Sequence, residues 1–585
     1  MRKQTKVVAV ASAAALLAIG ASMTSFAATG WVEEDGQWYF YDKDGNRVED
    51  EWKKSGDNWY WLDSEEGGAM AVDKLIEDDD DSYYVDANGV MVTNTWVKVV
   101  NEDQDDEDDP AEYNYYYMQN NGKAYKNSGE DTKFRTIDGK RYAFDEDGKM
   151  LYGWVKDGER LDADSWMDGE YYLGSWEDGA MKTGWQKITV EDNEDDEEEK
   201  DFWFAFKSNG KKRYNDGDKT VKEVKINGKR YGFDDRGVMT YEWTIATEQG
   251  ADTSSSSSWK YFHDIEDGAR ATKGWFKVVA PDDDNDNTFK DYDENYGTFA
   301  SKDADDETER WYYANGDGEL AVGEIKKING KYYGFRPEGT KGAAMLSGLV
   351  LMRTDGAEIL EVLDDGVDSD ELSDIVEDDV YGDDKLPVPS DATLFYFGND
   401  EDNDGALKTG AVSVSLDGDS YNFLFKKSGG AESKGRGVTG IDDEKYVYKY
   451  GLKIKADSDD KYQVVEVTGE KGTDIGSEGV VVDLIDSQDI REVAKEIGQN
   501  DDGESVSAVI NGNLKSWGKD YLLLNTSGAI SKKKTAAKDG DDWYFYVNKD
   551  KEIVMYTNTK NLDWDKDHTD LKPENLGYDL DNWDK

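Results

Sequence analysis

"TIDGKRYAFDEDGKM", residues 136–150, is answered by "KINGKRYGFDDRGVM", residues 225–239, and again by "KINGKYYGFRPEG", residues 327–339. Gly139, Phe144, Met150 and Trp154 recur as Gly228, Phe233, Met239 and Trp243, and each pair gives the same offset, 228 − 139 = 89. Four landmarks sharing one interval make an internal repeat. Fold and function therefore have to be read from a unit, not from the 585-residue chain taken whole. The third copy follows at a longer interval, 330 − 228 = 102, because an acidic insert in front of it is longer.

Working outward, the unit is a β-hairpin. In "GWVEEDGQWYFYDKDGNRV", residues 30–48, Asp35-Gly36 and Asp44-Gly45 are turn pairs, and Trp38-Tyr39-Phe40-Tyr41 is the strand between them. Trp52 opens a second hairpin with the strand Trp59-Tyr60-Trp61-Leu62. Tyr83 to Val85, Tyr115 to Tyr117, Tyr171-Tyr172, Trp203 to Phe206, Trp259 to Phe262 and Trp311 to Tyr313 repeat the grammar. Both faces of such a strand are aromatic, so the second face must pack on a neighbouring hairpin or line a groove. The expected fold is all-β, a solenoid of stacked β-hairpin repeats. Acidic inserts at Asn101 to Glu112, Glu191 to Asp201 and Pro281 to Glu309 fall at one point of the unit, where loop length can vary without disturbing the strands.

Past Leu346 the pattern degenerates, with no Trp between Trp311 and Trp517, and returns at Trp543-Tyr544-Phe545-Tyr546. One short helix is expected there. Ile490, Val493, Ala494 and Ile497 follow a 3.6-residue period, with Ser487 as N-cap and Gly498 as stop. The organisation read from sequence is a signal peptide over 1–27, Trp/Tyr-rich repeats over 28–345, Trp-poor repeats over 346–560 and a flexible tail over 561–585. The signal rests on Arg2, Lys3 and Lys6 before an apolar run from Val7 to Ile19, then Ser25-Phe26-Ala27. That run is shorter than the roughly 18–20 residues of a membrane span. The chain reads as exported and held at the cell surface without a covalent anchor.

Composition narrows the function classes. Cysteine is absent, which excludes thiol nucleophiles and thiolate metal sites. A formal charge of −61 repels nucleic acid and anionic membrane, but it tolerates cations and sugars. His263 and His568 are the two histidines, and neither has a partner at a catalytic or zinc spacing. No enzyme activity and no cofactor are expected. Asp400, Asp402 and Asp404 resemble the start of an EF-hand loop, yet position twelve is Ala411 where a bidentate Glu is needed; weak Ca²⁺ binding by acidic loops is the most they suggest.

"GQWYFYDKDG" at Gly36, "GAMKTGW" at Gly179 and "INGKRYGFDDRGVM" at Ile226 resemble the cell-wall-binding, or choline-binding, repeat family, which is related to glucan-binding repeats. The resemblance covers residues 30–345 and is weak beyond. It implies stacked hairpins with ligand held between neighbours in a cage of aromatics, on a Gram-positive-type cell wall. The ligand would be choline-substituted teichoic acid or a polysaccharide. The candidate ligand-binding residues are Trp31, Trp38, Trp52, Trp59, Trp154, Tyr172, Trp185, Trp243, Trp259, Trp275 and Tyr312. An adhesin for host or dietary glycan and a wall hydrolase with an unrecognised site are the competing readings.

Overall fold

The computed structural model describes residues 29–104, 109–192, 198–217, 221–245, 256, 259–279, 298–299, 309–337, 342–430, 433–499, 503–510, 521–532, 534–547 and 550–560. The expected signal peptide, the tail, His568 and most of the third acidic insert lie outside them. The chain divides into two compact units, residues 1–241 with 264–268, and residues 242–263 with 269–585. The change of composition near 345 falls inside the second unit.

The first unit is a series of antiparallel hairpins; the first two share one five-stranded sheet through the short strand Ala69–Met70, and the later ones form separate sheets of two or three strands. Gly30–Glu34 pairs with Gln37–Tyr41, placing Trp31 opposite Phe40, and Glu51–Ser55 pairs with Asn58–Asp63, placing Trp52 opposite Trp61. Asp35 and Gly36 both adopt positive φ, 52° and 85°, as a two-residue hairpin turn requires. The Asp44-Gly45 turn is built differently. Only Gly45 is left-handed, and the Asp42 carboxylate accepts the N–H groups of Asp44 and Asn46. The same acceptor recurs at Asp86, which takes the N–H groups of Asn88 and Val90. A side chain that terminates these two turns explains why Asp precedes their glycines by three residues, whereas at Gly122 and Gly210 the acceptor is the adjacent Asn121 or Asn209.

Successive hairpins are joined by one backbone hydrogen bond. The residue two past the turn glycine donates its N–H to a carbonyl of the previous hairpin: Met91 to Trp59 at 2.9 Å, Met150 to Tyr115 at 2.7 Å and Met239 to Trp203 at 2.9 Å. The methionine side chain then lies against the turn glycine of the hairpin after it. A Cβ on Gly122 would stand 2.5 Å from the Met91 sulfur, and one on Gly179 would stand 2.3 Å from that of Met150. The motif "G-x-M" thus encodes the stacking itself, with a flexible thioether filling the space a side chain would need.

The second unit continues the hairpins through Glu242–Ile245/Trp259–Phe262, Gly274–Val279/Glu309–Ala314 and Ile325–Ile328/Lys331–Gly334. It then changes to larger sheets around an aliphatic core that includes Leu351, Leu394, Val447, Val465 and Leu524, each at most 0 % exposed. That core replaces the aromatic stack, which is why tryptophan can disappear there. The expected helix is present but shorter than its periodicity predicts. It spans Ser487–Glu492, its N-cap is Asp486 and not Ser487, and Ile497 belongs to the strand Lys495–Gln499. A second helix, Ser369–Ser373, opens with a capping box of Asp368 and Glu371 that the sequence reading missed.

Candidate functional site

The opening tryptophan of each hairpin is wedged between its own aromatic strand and the next hairpin. Trp31 lies 5.3 Å from Tyr60, Trp52 5.1 Å from Tyr83, Trp96 4.9 Å from Tyr142, Trp185 4.7 Å from Tyr231 and Trp275 4.8 Å from Tyr333, all edge-on. Ring centroids near 5 Å are touching, so this inner end of the interface is closed. The outer end is set by the first residue of the aromatic strand. Trp203 stands 6.4 Å from Trp185, and Trp311 stands 6.3 Å from Trp275.

Four interfaces share one composition. Trp52, Trp59 and Tyr83 form the first set, Trp96, Tyr115 and Tyr142 the second, Trp185, Trp203 and Tyr231 the third, and Trp275, Trp311 and Tyr333 the fourth. The first ring in each is an opening tryptophan, the second an outer aromatic on the same face of the same hairpin, and the third a tyrosine of the next. Trp59 is exposed, and the other eleven rings are half-buried. In every set the N–H of the methionine that ends the next hairpin, Met91, Met150, Met239 or Met345, holds the carbonyl of the outer aromatic at 2.7–2.9 Å. The register also places a lysine directly opposite each outer ring: Lys54 opposite Trp59, Lys98 opposite Tyr115, Lys187 opposite Trp203 and Lys277 opposite Trp311.

Carboxylates of later turns reach two of these sets. Glu266 accepts from the Trp203 indole at 3.2 Å and from Lys187 at 2.8 Å, and hydrogen bonds from Lys187 and then Trp203 hold its carboxyl below the usual range. Asp402 accepts from Lys277 at 2.9 Å and from Trp311 at 2.8 Å, and is lowered by the same two kinds of donor. Asp402 is therefore committed to the hairpin beneath it. Asp404 pairs with Lys408, and Asp400 accepts the N–H groups of Asp402 and Asn403. The three carboxylates face separate partners and do not converge as an EF-hand loop would require.

The remaining sequence candidates sit elsewhere. Trp154, Trp243, Trp259 and Tyr312 are core residues, 7 %, 2 %, 1 % and 0 % exposed. Trp154 and Trp243 are closed because the hairpin that follows each also opens on a tryptophan, a Trp-class hairpin in contrast to the Tyr-class hairpins that complete the four sets, seating Phe204 5.0 Å from Trp154 and Tyr312 4.9 Å from Trp243. Rings covered on this scale bind the stack together and present no face to a ligand. Tyr172 is half-buried, 5.0 Å from Trp154. Trp38 is half-buried opposite Glu33, so the first hairpin carries an acid where the four sets carry lysine. His263 is exposed beside Tyr261 at 6.1 Å. The sequence reading missed Tyr83, Trp96, Tyr115, Tyr142, Trp203, Tyr231, Trp311 and Tyr333. Their signal is the succession of a "W-x-K" hairpin and a hairpin ending in "Y…G-x-M", or "G-x-x-M" at Met345.

No curated protein matches the chain in sequence. Among solved structures, choline binding protein F from Streptococcus pneumoniae aligns at 20% identity over 57% of this chain and 100% of its own, with a TM-score of 0.29. The choline-binding domain of CbpL from the same organism aligns at 24% identity over 36% of this chain and 97% of its own, with a TM-score of 0.21. The modular autolysin LytC, also from that organism, aligns at 16% identity over 57% of this chain, which spans 53% of it, with a TM-score of 0.24. In sequence, residues 28–74 match the family described as choline-binding repeat. That matched stretch contains the first two hairpins and two rings of the first set, Trp52 and Trp59.

Proposed function

We propose that this chain is an exported, non-catalytic surface protein that grips choline-bearing cell-wall polymer through the four ring sets. The observation that carries the reading is the recurrence of three incompletely buried rings from two consecutive hairpins, with one composition, wherever a Trp-class hairpin precedes a Tyr-class one. A quaternary ammonium gains roughly 0.5–2 kcal/mol against each aromatic face, so one set is a weak site that selects for cations. Four weak sites on one chain retain a polymer through effective concentration.

The carboxylates beside Trp203 and Trp311 support a second reading, because an acid next to a flat ring also suits a sugar, accepting hydroxyls while the ring stacks on the apolar face. Outer-ring variants separate the two. Replacing Trp59, Tyr115, Trp203 and Trp311 by Ala one after another should lower retention on isolated walls more steeply than in proportion, with circular dichroism unchanged and free choline eluting the wild type. Elution by oligosaccharides but not by choline would transfer the function to glycan. Undiminished retention by the folded fourfold variant would remove the ring sets from binding altogether.

A further inference from the structure

With cysteine absent, all the sulfur of this chain is the thioether of its 12 methionines. Met70, Met91, Met150, Met181, Met239 and Met345 share one place in the fold, against a turn glycine of the next hairpin. The place does not require sulfur, since Leu407 fills it against Gly435 and Lys212 fills it against Gly237. Exposure divides the six. Met150, Met239 and Met345 are buried, whereas Met70, Met91 and Met181 are half-buried. A Cβ built on Gly89, Gly122 or Gly210 would stand 2.9, 2.5 or 2.3 Å from the sulfur of Met70, Met91 or Met181. Two residues beyond each of these glycines comes the N–H that ties its hairpin to an earlier one. Met91 donates to Trp59 at 2.9 Å, Ala124 to Ser82 at 2.8 Å and Lys212 to Glu170 at 2.7 Å.

We propose that Met70, Met91 and Met181 are modification sites for a peroxide, and that their conversion to the sulfoxide uncouples the hairpins they join. Hydrogen peroxide gives one oxygen atom to a lone pair of the sulfur and leaves as water, so the sulfur loses two electrons and the peroxide gains them. The product is a polar group on a side chain that served as apolar filler. Beside the glycine there is no room for a further atom, so the new oxygen reaches water only if the sulfur swings off the turn or the turn moves away. Either movement withdraws support from the N–H two residues on. The inference does not depend on the ring sets being ligand sites.

Treating the full chain with hydrogen peroxide, then mapping peptides by mass and by hydrogen exchange, tests it. Met70, Met91 and Met181 should each gain one oxygen atom before Met150, Met239 and Met345 do. In the oxidised chain the amides of Met91, Ala124 and Lys212 should exchange more than about tenfold faster. Methionine sulfoxide reductases for both epimers, with dithiothreitol as the reductant, should restore the original rates. The Met70→Leu/Met91→Leu/Met181→Leu variant copies what Leu407 already does, and its three amides should ignore peroxide. Met167, which is 38% exposed and outside the column, is the internal control for oxidant in both proteins. Unchanged exchange in a wild type oxidised at all three positions would overturn the uncoupling. Resistance of the three while Met167 reacts would overturn the sites. The same acceleration in the leucine variant would assign it to some other oxidised residue and overturn both.

Discussion

Lys212 occupies the position two past a turn glycine that methionine holds at residues 91, 150, 181 and 239. It is 4% exposed, donates to the Met167 carbonyl at 2.7 Å and lies 5.1 Å from the Trp154 ring. Burial pulls its pKa from 10.5 to about 8; Asp234 and Asp168 oppose the shift, while Arg236 and Lys156 add to it. A base whose folded pKa lies below its unfolded one destabilises the fold at every pH below about 8, and the penalty fades as pH rises towards 10.5. Lys212→Met restores the apolar filler, and should raise stability at pH 7 by roughly 1–3 kcal/mol after the loss of the Met167 hydrogen bond. Thermal melting of both proteins from pH 7 to 10.5 checks the sign: the advantage of the variant should shrink as pH rises. A constant or growing gap would show that burial of the charge is not its source.

At the scale of the element, the turn glycines carry two separate constraints, and two positions separate them. Gly36 has φ 85° with nothing within 4 Å of a built Cβ, whereas Gly122 has φ 84° and the Met91 sulfur at 2.5 Å. Gly36→Ala should therefore cost only backbone strain, about 1–2 kcal/mol confined to the first hairpin. Gly122→Ala should cost that and also displace Met91, loosening the bond from the Ala124 N–H to the Ser82 carbonyl. Native-state hydrogen exchange should show the Ala124 amide exchanging more than about tenfold faster in Gly122→Ala, and unchanged in Gly36→Ala. Equal rates would mean that the methionine column does not hold the hairpins together. These turns and strands were legible in the sequence because each is decided within a dozen residues by glycine, an Asp or Asn acceptor and alternating aromatics. The ring sets were only half legible. An opening tryptophan looks the same whether a Tyr-class or a Trp-class hairpin follows, and only the packed structure tells that Trp185 stays half-buried while Trp243 is sealed. The helix at Ser487–Glu492 shows the same limit, since Val493 and Ile497 satisfied the period but the chain turned into a strand after one and a half turns.

At the scale of the molecule, a charge of −61 and the four ring sets proposed as choline sites act in opposite directions on the same polymer. Attraction at a ring set is short-ranged and partly shielded from solvent, so salt weakens it little. Repulsion between the chain and a phosphate-bearing polymer extends over many residues, and is screened beyond about 30 Å at 0.01 M salt but beyond about 8 Å at 0.15 M. Wall retention should therefore increase as salt is raised from 0.01 to 0.15 M, the reverse of what a basic protein shows on a polyanion. Sedimentation of the full chain with isolated walls over this salt series reads the slope. Wall retention that falls as salt rises would mean that charge attraction, and not the aromatic rings, supplies most of the grip.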